Sequence, residues 1–192
     1  MRVLRFVLLF ATLAVTASGQ QDSAQPQLPQ PESQPPTSCP VTHRPSSPFV
    51  PPQPYWSADS EMPKEFFFWG TEKLWTELRD PPIWAWRPHQ PGHEQELQPL
   101  TQKVFWQRVG YDWRAEPRPK LIVTGRRLDG PAAPMLVSPA TNAFTGFSNM
   151  LVGVYVPTPG CWEVTGDYQG DKLTFVVWVV PFRLARQEDT QR

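Results

Sequence analysis

The sequence predicts an all-β domain, an antiparallel β-sandwich carried behind an export signal and a proline-rich linker. Three observations predict it. Short runs with apolar and polar residues in alternation recur from Glu65 onward, the two-residue period of half-buried strands. The last two runs, Cys161 to Tyr168 and Leu173 to Val180, are joined through Asp167 to Asp171, a short Gly-containing segment that signals a hairpin. No stretch of useful length carries helical periodicity. The best candidate, Pro63 to Arg79, opens on Pro and holds Phe66, Phe67, Phe68 and Trp69, which favour strands.

The elements follow in chain order. Arg2 and Arg5 precede an apolar core from Val7 to Val15, and Ala17, Ser18 and Gly19 supply small residues after it. This pattern predicts a secretory signal peptide over residues 1–19, cleaved after Gly19. The alternative is an uncleaved N-terminal anchor, which would be the only route to a membrane. Residues 20–60 are rich in Pro, Gln and Ser and are expected to form a linker, because they cannot bury enough apolar surface to offset their ordering. The β-sandwich is expected over residues 61–182. Its strands are read at Leu74 to Leu78, Ile83 to Trp86, Lys103 to Val109, Leu121 to Thr124, Met135 to Val137, Leu151 to Val156 and the final two runs. Within them Leu74, Thr76 and Leu78 oppose Trp75 and Glu77, and Val104 and Trp106 oppose Phe105 and Gln107. Trp162 and Val164 are expected inward, with Glu163 and Thr165 outward. Pro181 ends the last strand, and residues 183–192 form a polar tail.

Two cysteines are present, Cys39 and Cys161. Export would place them in an oxidising compartment, where they can form one intramolecular bridge. Cys39–Cys161 is therefore expected, and it would tie the linker back to the domain. An intermolecular bridge or two free thiols are the alternatives. The chain carries 18 basic and 18 acidic residues, and signal cleavage removes only Arg2 and Arg5. That balance offers no footprint for nucleic acid.

The motifs of catalysis are weak throughout. His89 and His93 have the i, i+4 spacing of zinc ligands, but Gln90, Pro91 and Gly92 between them exclude a helix. No metal or other cofactor is expected. Gly146 to Met150 lacks the second Gly of a nucleophile elbow. Asp112, Asp129 and Glu163 read as turn or surface residues, and Arg126 with Arg127 as a solvated strand end. Nine Trp residues are present, seven of them between Trp56 and Trp113. Trp84 and Trp86 share one strand face, and Phe67 and Trp69 share another. These rings either fill the core or, as Trp84, Trp86 and Trp69, form an exposed ligand platform that stacks on sugars or peptides.

Several segments together carry a family resemblance. They are Pro157 to Gly166 (including Cys161-Trp162-Glu163-Val164-Thr165), Leu173 to Val177, Cys39 to Thr42, Leu74 to Leu78, and Gly125 to Asp129 with Gly146 and Phe147 after it. In these the chain resembles a family of small secreted bacterial proteins of unknown function. The resemblance spans about residues 39 to 180, and Asp80-Pro81-Pro82 stands where the family shows a Trp-Pro-Asp-Gly type turn. It implies export and a β domain, and it implies no activity. The Pro-Gly-Cys-Trp-x-Val pattern also resembles the penultimate strand of immunoglobulin-like modules, an analogy of fold alone. The resulting expectation is a non-catalytic secreted or cell-envelope module, binding or structural. Its ligand would be a glycan, peptide or protein of the envelope or the extracellular space. A secreted hydrolase of unrecognised type is the alternative.

Overall fold

The computed structural model describes residues 34–55, 62–144 and 148–182. The expected signal peptide, the first part of the linker and the polar tail lie outside the described residues. Ten strands make up the described secondary structure: β1 (Phe66–Thr71), β2 (Leu74–Arg79), β3 (Ile83–Trp86), β4 (Gln102–Gln107), β5 (Ile122–Arg127), β6 (Leu136–Val137), β7 (Thr141–Phe144), β8 (Ser148–Tyr155), β9 (Gly160–Tyr168) and β10 (Asp171–Pro181). One sheet has the order β1-β2-β4-β8-β6, with β7 also paired to β8; the other has the order β3-β10-β9-β5. The inner faces of the two sheets meet in one apolar core, so the protein is a β-sandwich.

The final hairpin forms as expected. β9 and β10 pair antiparallel from Asp171 opposite Tyr168 to Val179 opposite Gly160. Its turn is only two residues long, and Gln169 and Gly170 both have positive φ, 55° and 88°. That is the pairing of a primed turn, whose twist matches the flanking strands. β1 and β2 form a second hairpin, from Phe66 opposite Arg79 to Thr71 opposite Leu74. β7 had no signature in the sequence, because Thr141, Asn142 and Ala143 carry no apolar alternation.

One ladder departs from the expected antiparallel arrangement. β3 runs parallel to β10, from Ile83 opposite Trp178 to Trp86 opposite Pro181. The cause lies just upstream. Pro81 and Pro82 have no amide hydrogens, so β2 cannot be prolonged past Asp80. The chain crosses to the other sheet and enters beside β10 in the same direction. The Trp178 amide donates to the Pro82 carbonyl (3.0 Å) at the point of arrival.

The interior is built on large rings. Trp106 and Trp162 are fully buried between the sheets, with Phe67, Phe175 and Tyr168 around them. As the alternation predicts, Trp162 and Val164 point in, and Glu163 and Thr165 are more exposed. Trp106 lies over Gly166 of β9. A Cβ at Gly166 would come within 2.4 Å of the indole, so this position has no room for a side chain.

Packing begins well upstream of residue 61, the expected start of the domain. Cys39 and Cys161 are joined by a disulfide (S–S 1.99 Å) across 122 residues of sequence. The bridge sits on the outer face of the β3-β10-β9-β5 sheet, in a small apolar cluster with Val41, Leu128, Val176 and Trp178. Thr42 holds the same sheet twice. Its amide donates to the Val176 carbonyl (3.0 Å), and its hydroxyl accepts from the Val176 amide (2.8 Å). The chain then passes to the other sheet, where Phe49 bridges to Phe68 of β1. The rings of Phe49 and Tyr55 cover Trp75, at centroid distances of 5.5 and 5.4 Å. Residues 39–55 are thus a strap across the outer faces of both sheets rather than a free linker. Trp75, on an outer face, is buried for this reason.

Candidate functional site

A concavity on one sheet arises from an interrupted ladder. β2 and β4 pair at only two positions, Trp75 opposite Gln107 and Thr76 opposite Trp106. β4 continues pairing on its other edge, with β8, from Gln102 to Trp106. Past Thr76 the two strands separate, as β2 leaves for the crossing at Pro81 and Pro82. The gap is a cleft of about 540 Å³ on the outer face of the sheet.

Its walls are outer-face side chains: Glu77 and Arg79 from β2, Lys103, Phe105 and Gln107 from β4, and Phe66 and Phe68 from β1. Its floor reaches the interior at Leu78, Val104 and Trp84, and Pro82 and Ile83 close its far end. Gln107 is fixed by the Trp75 indole, which donates to its Oε1 (2.5 Å). The Thr76 hydroxyl donates to the Phe105 carbonyl (2.8 Å). Glu77 stays exposed to solvent, yet partial desolvation against the walls raises its carboxyl above the ordinary value. Among the described residues Glu77 is the one carboxylate lining the cleft. Aromatic rings, one acid, two cations and two glutamines, Gln102 and Gln107, therefore line a partly apolar trough.

Of the three Trp residues of the expected platform, Trp69 and Trp86 lie outside the cleft and Trp84 reaches it only from below. Trp84 is buried in the core, edge-on to Phe175 at 6.1 Å between centroids, and contributes only to the cleft floor. Trp86 shares that inward face, as the period requires, and packs against the core. Trp69 also faces in. It meets Phe67 edge-on at 6.4 Å, and its indole donates to the Thr174 carbonyl of β10 (2.8 Å), bridging the two sheets. The alternation placed these rings on common faces correctly, but the faces point inward, so they form no exposed row.

The remaining candidates are structural. Arg127 Nε donates to Asp129 Oδ1 (2.6 Å), and its Nη1 donates to Thr158 Oγ1 (3.3 Å). The Leu128 amide donates to the Cys161 carbonyl (2.8 Å). This clamp lies against Gly160, whose φ is +138° and where a Cβ would come within 2.9 Å of the Asp129 carboxylate. Desolvation pushes the Asp129 carboxyl up, but the Arg127 hydrogen bond and the Cys161 amide outweigh it and hold the group below its ordinary value. Two of the motif segments, Gly125 to Asp129 and Pro157 to Gly166, meet here to brace the disulfide strand.

A second polar cluster closes the hairpin end. The Tyr168 hydroxyl donates to the Glu116 carboxylate, and the Tyr111 hydroxyl donates to the Glu116 carbonyl (3.0 Å). Burial raises the Tyr111 phenol to about 12, with Glu116 and Asp112 adding to the shift. Burial and the bond to Glu116 raise Tyr168 as well. His89 stacks on Tyr155 at 3.7 Å, whereas His93 pairs with Glu96 (2.5 Å). Among the described residues no group of three or more His, Cys, Asp or Glu is placed to hold a metal ion.

Comparison with known proteins adds little. No family model matches the chain, and no curated protein matches it. One solved structure, described as "X-ray Crystal Structure of a Putative Lipoprotein from Bacillus anthracis", is similar over 80% of this chain and 99% of that one. The identity is 14% and the TM-score 0.33.

Proposed function

We propose that the protein is a non-catalytic, extracytoplasmic binding module with an immunoglobulin-like sandwich, and that it takes its ligand in the cleft between β2 and β4. The observation that carries the reading is the cleft itself, a trough of about 540 Å³ walled by Phe66, Phe68 and Phe105 with Glu77, Arg79 and Lys103 among them. Sites of this kind bind through apolar contact and use a few polar groups for orientation. A hydrolytic site needs a base with a second acid or nucleophile within reach, and among the described residues Glu77 lines this cleft without another carboxylate, histidine or cysteine.

The disulfide supports a location outside the cytoplasm. The strand orders support the immunoglobulin-like reading: β4 and β8 lie in one sheet, β5, β9 and β10 in the other, and the chain crosses between sheets from β4 to β5 and from β8 to β9. The meeting of two motif segments at the Arg127–Asp129 clamp supports membership of the secreted family that the sequence resembles.

The test is to probe glycan and peptide arrays with the purified chain and with Glu77→Trp, which fills the cleft from an exposed position. Binding by the parent that falls at least about tenfold in the variant, at unchanged melting temperature, is the expected result. Equal binding by both proteins, or turnover of an arrayed ligand, overturns the proposal.

A further inference from the structure

The outer edge of a sheet pairs with other strands unless the edge strand is short, covered or charged. β1 is capped by the strap through the Phe49–Phe68 bridge. β6 is two residues long, and β3 and β7 are four each. β5 has none of these protections. It runs for six residues without a proline, Ile122–Arg127, at the end of the β3-β10-β9-β5 sheet. Its ladder shows which way its main chain points. The Leu128 amide donates to the Cys161 carbonyl (2.8 Å), one step beyond the pairing of Arg127 with Trp162. Successive residues of an antiparallel ladder direct their amide and carbonyl groups to opposite sides. Ile122, Thr124 and Arg126 therefore address β9, and Leu121, Val123, Gly125 and Arg127 turn their main chain outward. Among the described residues nothing bonds to these outward groups. The side chains leave the edge open too. Ile122 is 65% exposed. Both cations of the strand are already engaged, Arg126 with Glu163 (2.6 Å) and Arg127 with Asp129 (2.6 Å), so no free charge repels a neighbour.

We propose that β5 pairs antiparallel with β5 of a second copy of this chain, about a two-fold axis at Thr124. The two sheets then join edge to edge. With Thr124 opposite the partner's Thr124, the outward groups meet one another: Val123 faces the partner's Gly125, and Leu121 faces the partner's Arg127. On the exposed face Thr124 extends a cross-strand row that already holds Thr165 and Thr174, whose hydroxyls are bonded at 2.8 Å. The next row reads Lys172, Asp167, Ile122, the partner's Arg126 and the partner's Glu163. Charges alternate along it and no like charges meet. Sliding the partner until Val123 faces the partner's Val123 sets Lys120 against the partner's Arg126, two cations. Sliding it the other way, to Gly125 against the partner's Gly125, loses the rung at Leu121. A second copy supplies the complementary pattern by symmetry, as two-fold interfaces require. The cleft lies on the other sheet, so pairing leaves both clefts open.

The experiment is sedimentation velocity of the purified chain across the micromolar range, where a concentration-dependent dimer is expected. Thr124→Lys sets two ammonium groups opposite each other across the axis and should weaken the dimer at least about tenfold. Val109→Lys, at a residue 42% exposed away from β5, should leave it unchanged. Thr124→Cys should give a disulfide-linked dimer on mild oxidation with diamide, because facing residues of a non-hydrogen-bonded pair have Cα atoms about 4.5 Å apart. Ile122→Cys, which faces the partner's Arg126, should not. Hydrogen exchange needs no variant. The amides of Val123 and Gly125 should exchange at least about tenfold faster in dilute than in concentrated parent protein. A parent that stays monomeric throughout, leaving the edge to a different protein, overturns the proposal. A dimer indifferent to Thr124→Lys, linkage through Ile122→Cys as strong as through Thr124→Cys, or exchange unaffected by dilution of a dimer also overturns it.

Discussion

The Trp106 indole of β4 lies across Gly166 of β9, with 2.4 Å between the ring and the position a Cβ would take. The contact joins the two sheets at a fully buried ring, and interiors this dense do not absorb an added methyl. Gly166→Ala should therefore destabilise the fold by about 1–3 kcal/mol, as overpacking does. The expected signature is a melting temperature lowered by several degrees, with far-UV circular dichroism unchanged at low temperature.

Replacing Cys39 and Cys161 together with Ser should cost about 4–5 kcal/mol in the chain-entropy account of so long a loop. Denaturant titration of both forms gives the difference. Thiol titration of the unreduced, denatured parent should find none reactive; two per chain would contradict the bridge.

Trp84 and Trp178 should respond differently to truncation. Trp84 is 6% exposed and packs on Phe175, so Trp84→Ala should cost about 3–5 kcal/mol. Trp178 sits on the neighbouring strand but on the opposite face, half-covered by the strap, and Trp178→Ala should cost less. Equal losses measured by urea unfolding would show that the two faces are buried alike.

The alternation around these rings was legible in the sequence because a strand's period assigns residues to faces locally. It put Trp84 with Trp86, Glu77 opposite Leu78, and Trp162 opposite Glu163. It did not say which face meets the other sheet, because that depends on pairing between distant segments. β10 is flanked by β3 from the start of the domain and by β9 from its end. The cleft was illegible for the same reason. Glu77 and Phe105 become neighbours only through the short β2–β4 ladder, although Pro81 and Pro82 were a readable sign that β2 stops early. The strap was read as linker from its Pro content. Its anchors are a few isolated residues, Cys39, Val41, Phe49 and Tyr55, too sparse to form a pattern.

The acid limb of stability should carry a signature of Asp129. Its folded pKa lies below the ordinary 3.8, so its contribution is present above that value and is lost as pH falls through the folded value. Asp129→Asn should lower stability at neutral pH by about 1–3 kcal/mol through the lost clamp. The difference from the parent should shrink at acid pH. Urea midpoints of both proteins between pH 7 and pH 2 measure it.

At the alkaline end, Tyr111 and Tyr168 govern. Both folded values lie above the ordinary 10, Tyr111 at about 12. The stability they confer is therefore complete below pH 10 and is lost as pH rises through the folded values. Absorbance of tyrosinate near 295 nm should rise in two stages, the later stage coinciding with loss of near-UV circular dichroism. Tyr168→Phe should shift that unfolding.

The placement of the Cys39–Cys161 bridge also determines how the protein bears tension. A pull on the chain ahead of residue 39 enters β9 directly through sulfur, so the chain between the two cysteines, which are 122 positions apart, carries no load while the bond is intact. The strap cannot be peeled and the cleft strands cannot be drawn apart from that end. Reduction would release the whole loop at once, roughly 400 Å of extensible chain.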